Sequence, residues 1–510
     1  MKPRFIFPFV IQMFLCLSLS AQDGFSKVYP LSYSLSDLCQ SIEYTNDEIY
    51  LGLSHLCIGD NQSLNFCGSL LRLDSNGNKI DSIVEYGFNV GNENIIEFMN
   101  DSIYFLGYDT KLGSINRKEI EVLSTTLDFE NFERRTINLD SFVNEFFLNG
   151  TQNVNGENWL YGNGNGEGND STGVQGLIFK MDSSYNEITD LIRIEQCTLE
   201  NHVFDARLLD MEYLVFVNHT FFESVLDRKV IVNKLSTEGE LIGSYNSSIV
   251  DVNSIDPNLG LLENQDIVFS IAGDPFKREK IVTCIDGEFL VDKWSTSIPS
   301  TNSSDFWWIE INSILPLSNS DFIVVGQKRY NTSTGKSHGG YVIRISAAGD
   351  ILWEKTVISK IHGEFRNGEF LNAIELPSGE IVIAGQISTG VIDNVSTSDL
   401  WVVKMDEDGC IGIDDCGQNT YTSTSSIAKS SDVRLSPNPV VNVLDINSNE
   451  TIFNGFSIFD LTGNLRQNST FSGTSKYKVD TSDLAPGIYF LAIKDSYGHT
   501  ISMEKFVKQE

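Results

Sequence analysis

The sequence is short of proline, histidine and positive charge. It has 11 prolines and 6 histidines in 510 residues, and 36 Lys and Arg against 69 Asp and Glu, for a formal charge of −33. So few prolines beside 40 glycines describe a turn-rich folded chain rather than a Pro-rich disordered one. The negative field repels phosphate backbones, which excludes nucleic acid as a partner class, and it suits a protein that stays soluble outside the cell. The histidines are scattered without HExxH, and no CxxC or Cys/His cluster exists, so zinc-protease and structural-zinc readings fall away. Beyond the N-terminus, no stretch approaches the 18 or so uninterrupted apolar residues of a spanning helix, and no transmembrane span is predicted.

The N-terminus has the form of a targeting segment. Lys2 and Arg4 precede the apolar run FIFPFVIQMFLCLSL, and SLSAQ supplies the small residues of a cleavage site after Ala21, so residues 1–21 read as a cleaved Sec signal peptide. Cys16 lacks the small residue a lipobox needs before it. Removal leaves seven cysteines, at 39, 57, 67, 197, 284, 410 and 416. After export, oxidation is expected. Cys57 and Cys67, and Cys410 and Cys416, are close enough to staple local loops, although spacing alone does not fix pairing. An odd count leaves at least one thiol free.

What the chain has in quantity is repetition. A short strand recurs after a polar turn: NDEIYLGLS (46–54), NDSIYFLGY (100–108), NGENWLYGN (155–163), DMEYLVFVN (210–218), NQDIVFSIAG (264–273), NSDFIVVGQ (319–327) and SGEIVIAGQ (378–386). Their first large apolar residues, from Ile49 to Ile381, are spaced by 54, 56, 54, 54, 55 and 59 residues. A second alternating strand follows, ending in turns such as LDSNGN and ISAAGD, where a glycine suits the left-handed position. An apolar stretch opens each unit, as in ENIIEFM (93–99).

Four short strands in each of seven such units predict a seven-bladed β-propeller over 22–417. A tandem β-sandwich array is the competitor, but its repeats are longer, about 100 residues. The seventh unit has little room for an outer strand, and FSKVYPLSYS (25–34) has no partner in the first. The N-terminal strand is therefore expected to complete blade seven and close the ring. The pattern resembles the PQQ-like repeat propellers of exported bacterial proteins, most clearly at RISAAGDILWEK (344–355). Only one copy, at Trp353, is read as carrying the tryptophan after the turn, so the resemblance implies the fold far more than a quinone.

Residues 418–432 read as a Ser/Thr-rich linker. Beyond it, VRLSPNPVVNVLDI, FSIFDLTGNLRQ and APGIYFLAIKDSYG alternate like the strands of a small Ig-like β-sandwich. The fold class expected for the chain is therefore all-β, a propeller followed by a sandwich. Pro437 and Pro439 donate no hydrogen bonds and suit an extended lead-in beside the sheet. Pro437-Asn438-Pro439, the LTGN turn at Gly463, Gly487 and Tyr489 of PGIY, and the terminal Lys505-Phe506-Val507 occur in order over 433–510. In these features the segment resembles the type A C-terminal sorting domain of the type IX secretion system of Bacteroidota. That resemblance implies the type IX machinery as partner, and a product released or attached to surface lipopolysaccharide.

Two catalytic motifs overlap in TSTGKSHGG (332–340). A phosphate loop needs glycine where Tyr330 stands, and both it and the G-x-S-x-G elbow need a helix next; YVIRIS reads as a strand. The stretch is expected to be a loop between the second and third strands of blade six. Its equivalents, among them 55–69 and 388–399, look long and dissimilar, and elaborated loops on one face of a rigid ring are where binding sits. Candidate ligand-face residues are Trp307, Trp308, His338, His362 and Arg366, with stacking on a sugar or aromatic ligand set against burial for the tryptophans. No cofactor and no catalytic or metal-binding residue is predicted. Acidic turns such as MDEDG and DSNGN hint only weakly at calcium, since the full loop pattern is missing. The expected function is an exported, non-enzymatic binding module for a glycan, polymer or protein. A secreted propeller enzyme (polysaccharide lyase, hydrolase or quinoprotein) and a structural cell-coat protein are the alternatives.

Overall fold

The computed structural model describes residues 24–509 except 30–33, 59–63, 91–94, 100, 110–116, 167–173, 195–199, 211, 222–227, 251–257, 273–278, 299–308, 333–334, 362–363, 393–394, 412–418, 424–432, 449–452, 461–464 and 495–499. Residues 1–21, read as a leader from the sequence, lie outside the described residues. Every regular element described is a β-strand.

The repeated pattern becomes seven antiparallel sheets. Blade one comprises Ser34–Thr45, Glu48–Ile58, Leu64–Asp74 and Lys79–Tyr86. Blade three runs Val143–Val154, Glu157–Gly166, Gln175–Met181 and Ile188–Ile194, and blade four has the same order. In blade two the innermost position is shared by Phe88–Val90 and Ile96–Met99, both paired to Ser102–Asp109. Blade five starts with only Leu259–Leu261. Blade six comprises Ile309–Pro316, Phe322–Thr332, Gly335–Ile345 and Ile351–Ile361. Blade seven takes Gly368–Glu375, Ile381–Ile392 and Val395–Met405 from one end of the propeller segment and Phe25–Tyr29 from the other.

That last pairing runs from Phe25 opposite Lys404 to Tyr29 opposite Leu400, and Trp401 Nε1 donates to Ser26 Oγ at 2.9 Å. The ring closes as the sequence led us to expect. A parallel contact between Ser36 and Ser398 joins blades seven and one directly.

Because both faces of a blade are covered, the second and third strands are apolar on both sides. The core is accordingly split into seven buried clusters, one at each blade boundary. The cluster between blades seven and one contains Tyr29, Leu51 and Val402, so the boundary made by closure is packed like the others.

Polar links repeat around the ring as well. A one-residue register shift of the β-bulge kind interrupts the innermost strand at Cys39/Ser41, Leu148/Gly150, Val203/Asp205, Ile311/Ser313 and Phe370/Asn372. Asparagines at or beside the innermost strands reach the next blade: Asn258 to Ile311 O at 3.1 Å, Asn312 to Phe370 O at 2.8 Å, and Asn372 to Gln40 O at 3.0 Å. At the other face, cationic and indole groups donate to carbonyls of the next blade's outer turn. Lys234 meets Gly287 O, Arg344 and Trp353 both meet Glu407 O, and Trp294 meets Ala347 O. Trp294 and Trp353 oppose Cys284 and Arg344, equivalent positions in their blades. The tryptophan after the turn therefore occurs in two blades, not one; an insertion in the blade-five turn hid the second copy.

Within the stretch read as linker, Asn419–Ser423 pairs in parallel with Thr356–Lys360 on the outer edge of blade six. The C-terminal module packs a three-stranded sheet and a four-stranded sheet around Leu444, Ile446, Phe456, Ile458, Leu491 and Phe506, an Ig-like sandwich.

Candidate functional site

In blades one, six and seven the second-to-third connections, read as loops, are mostly strand. Phe322–Thr332 pairs with Gly335–Ile345 out to Thr332 opposite Gly335, and blades one and seven extend their hairpins to Ile58/Leu64 and Ile392/Val395. Period-two alternation fades in these polar tips, which is why they look like loops. GKSHGG (335–340) is thus part of one arm of a hairpin. No helix follows it, so neither phosphate-loop nor nucleophile-elbow geometry forms.

Where the hairpins of blades six and seven rise from the ring, a cleft of about 450 Å³ opens, lined by Gln327, His338, Asn367, Glu369, Gln386, Ser388 and Ser398 among others. Its lining is amide, hydroxyl, carboxyl and imidazole. Gln327 donates to Glu310 and Gln386 to Glu369, in each case from the second strand to the innermost strand of the same blade. Ser398 Oγ donates to Gln386 Oε1 at 2.7 Å, which fixes that amide's orientation. Asn367 Oδ1 accepts from Ser337 Oγ at 2.7 Å and from His338 N at 3.0 Å, tying the two blades together across the cleft.

Two groups in the cleft have displaced ionisation. Arg329 Nε donates to His338 Nε2 at 3.1 Å, which needs that ring nitrogen unprotonated. Burial, then the Arg329 charge, lowers the His338 pKa, against a raising pull from Glu310. Burial raises the Glu369 pKa, the Gln386 hydrogen bond opposes this, and the Glu310 charge adds to it. The lining of the cleft thus includes an imidazole biased towards its neutral form and a carboxyl biased towards its protonated form.

Of the residues predicted for the ligand face, His338 lines this cleft. Arg366 sits half-buried in the short strand Glu364–Arg366, opposite Ser359. Trp307, Trp308 and His362 lie outside the described residues. Sequence reasoning missed Glu369, Gln386, Gln327 and Glu310. The signal was present in the two Gly-Gln pairs at Gly326 and Gly385, where the backbone passes so close to Glu310 O and Glu369 O that no Cβ fits.

Two further clusters form around the ring. Asp37, His55 and Ser69 come together from three strands of blade one, with His55 Nδ1 3.4 Å from Asp37 Oδ1 and Nε2 3.2 Å from Ser69 Oγ. The order matches a hydrolase triad, yet Ser69 is only 1% exposed and His55 4%, so no substrate reaches the hydroxyl. Beside it, burial and then the Asp37 charge raise Asp399 to about 7. Glu43, Glu97 and Arg207 occupy equivalent innermost-strand positions in blades one, two and four. Burial pushes Glu43 up to about 7, with Glu97 adding and Arg207 opposing, and burial alone does the same to Glu97.

Among the described residues no three His, Cys, Asp or Glu side chains stand together to hold a metal ion. Asp74 and Asp406 spend their carboxylates on backbone amides of their own turns, at 2.7 Å from Asn78 N and Cys410 N respectively. Trp353 Nε1 donates to Glu407 O at the outer turn of blade seven, at 3.1 Å. Cys67 and Cys410 are each disulfide-bonded; the side chains of Cys57 and Cys416 lie outside those described. Cys39 and Cys284 are free and buried, their thiols pushed up to about 12 by burial.

In the C-terminal sandwich the scattered motif becomes one patch. Asn438, between Pro437 and Pro439, donates through Nδ2 to Lys505 O at 3.0 Å and accepts from Val507 N at 2.9 Å. Val440 N donates to Val507 O at 2.8 Å. Tyr489, two residues after Gly487, stacks on Phe506 at 5.6 Å and donates to Ala485 O at 2.8 Å. The first and last segments of the module are thereby clamped together. Gly463 lies outside the described residues.

These features define a seven-bladed propeller carrying a small C-terminal β-sandwich. That sandwich is a secretion system C-terminal sorting domain: the family model of that description matches residues 434–509. The domain marks the chain for secretion or cell-surface export. A search of curated proteins gives no match. Among solved structures the chain is similar to the polysaccharide lyase Uly1, at 10% identity and TM-score 0.45, covering 74% of this chain and 92% of that one. It is also similar to the acylaminoacyl peptidase of Pyrococcus horikoshii, at 9% identity and TM-score 0.39, covering 81% of this chain and 57% of that one. A third is the propeller domain of the Trilobed protease of Pyrococcus furiosus, at 7% identity and TM-score 0.38, covering 72% and 95%. At these values the blade count rests on the sheet order itself. No helix described is long and apolar enough to cross a membrane.

Proposed function

We propose that the protein is exported through the type IX system, after a Sec leader, as a non-enzymatic glycan-binding propeller that is released or held at surface lipopolysaccharide. The observation that carries the glycan is the lining of the cleft between blades six and seven. The amides of Gln327, Asn367 and Gln386, the Glu369 carboxyl and the surrounding hydroxyls are what a hydroxyl-rich, uncharged ligand needs, since each sugar hydroxyl both donates and accepts. Trp307 and Trp308, immediately before the innermost strand of blade six, supply candidate stacking surfaces. A printed glycan array probed with the mature chain tests the reading. Retention on a defined glycan supports it, and retention on none overturns it.

The second reading is a propeller lyase or hydrolase. It is favoured by the combination of a neutral His338 and a Glu369 biased towards its acid form in one cleft. Chromatography of the retained glycan after incubation separates the two, because cleavage products lost in Glu369→Gln identify an enzyme and an unchanged glycan identifies a binder.

A further inference from the structure

We propose that the cleft holds two consecutive units of one linear oligosaccharide chain, one on blade six and one on blade seven. This rests on the glycan reading above and goes beyond it by naming the form of the ligand. The argument is the duplication of one device. Glu310 with Gln327, and Glu369 with Gln386, are cross-strand partners at the same register in adjacent blades. Each follows a glycine whose missing Cβ makes room for the glutamate's backbone carbonyl.

Each dyad is complete by itself. The amide Nε2 is committed to its own carboxyl, which fixes how each glutamine carbonyl faces the cleft; both glutamines line it, joined on blade seven by Glu369, and an amide oxygen with two lone pairs takes a ligand hydroxyl. The Gly-Gln pair occurs at this position in blades six and seven alone among the seven strands, and these are the blades the cleft joins. A single small ligand has no use for the same grip twice, whereas a chain with repeating hydroxyls does. The neighbours differ: opposite Arg329 stands His338, and at the equivalent place opposite Ser388 stands Ser398. The two places therefore accept units in a fixed order, giving the chain a direction.

Calorimetry on the mature full-length chain tests this, using mono-, di- and tetrasaccharides of the glycan selected on the array. Gln327→Met and Gln386→Met serve as variants that keep side-chain volume while removing the amide. We expect affinity to rise tenfold or more from mono- to disaccharide, and either variant to return disaccharide affinity to about the monosaccharide level. Equal affinity for mono- and tetrasaccharide overturns the two-unit site while leaving glycan binding intact. No retention on the array removes both. Should a variant lower the thermal midpoint, the length series on the unmodified chain still decides.

Discussion

A carboxyl confined in this ring is more consequential than one on the surface. Asp399 ionises in the unfolded chain in the ordinary range, but the folded form holds it to about 7, through burial first and the Asp37 charge second. A raised folded pKa means that stability is full at low pH and falls as pH climbs from about 4 to about 7. The whole effect is at most about 4 kcal/mol. Asp399→Asn should flatten that part of the curve, gaining stability over wild type at pH 8 and little at pH 4. Denaturant melts at both pH values measure it, and a parallel pair of curves would contradict the assignment. Asn438 acts through two hydrogen bonds to the last strand. Asn438→Ala should cost about 1–2 kcal/mol, seen as a lower midpoint for the sandwich transition in calorimetry of the full chain.

At the scale of elements, the strand Phe25–Tyr29 has a far larger role than its length suggests. It buries Val28 and Tyr29 and covers Trp401. Through Lys27 and Tyr29 it also reaches Asn76 O and Gly77 O in the outer turn of blade one. It therefore supplies the same turn contact that side chains in other blades give their neighbours. Two large apolar side chains alone account for about 3–6 kcal/mol. A chain starting at residue 34 should melt at a clearly lower temperature, and a synthetic peptide of residues 24–29 added in excess should restore part of the loss. Absence of any rescue would show that this strand is not what closes the ring.

For the whole molecule, Glu43, Glu97 and Asp399 are all raised to about 7. Their linkage has one sign, and the propeller should be more stable at pH 6 than at pH 8. Carboxylates held low by hydrogen bonds, Glu48 through Arg72 first and Asp128 through Thr126 first, reverse the trend only below the ordinary carboxylate range. Scanning calorimetry from pH 8 down to pH 3 should therefore give a rise and then a fall. Export belongs to the same scale, because the sorting domain acts on whatever precedes it. Removing 433–510 should leave the propeller folded but retained inside the cell envelope, as fractionation and immunoblotting would show. Normal arrival of the truncated chain outside would end the sorting assignment.

The sequence by itself determined the blade count, the strand that closes the ring and the nature of the last 75 or so residues. Each of these is written locally: alternation of side chains in a strand sandwiched between sheets, turn residues at a regular interval, and a run of ordered motifs. Only the tertiary structure decided the cleft, the Glu–Gln dyads, the sealed Asp37–His55–Ser69 contact and the second turn tryptophan. The cleft and the dyads depend on which residues a bulge at Ile311/Ser313 or Phe370/Asn372 turns towards the neighbouring blade, the sealed contact on pairing among three strands of blade one, and the second tryptophan on the register across a lengthened turn. A one-residue shift in register reverses every side chain beyond it, and the strands that meet at the cleft are joined by packing between sheets rather than by any spacing along the chain.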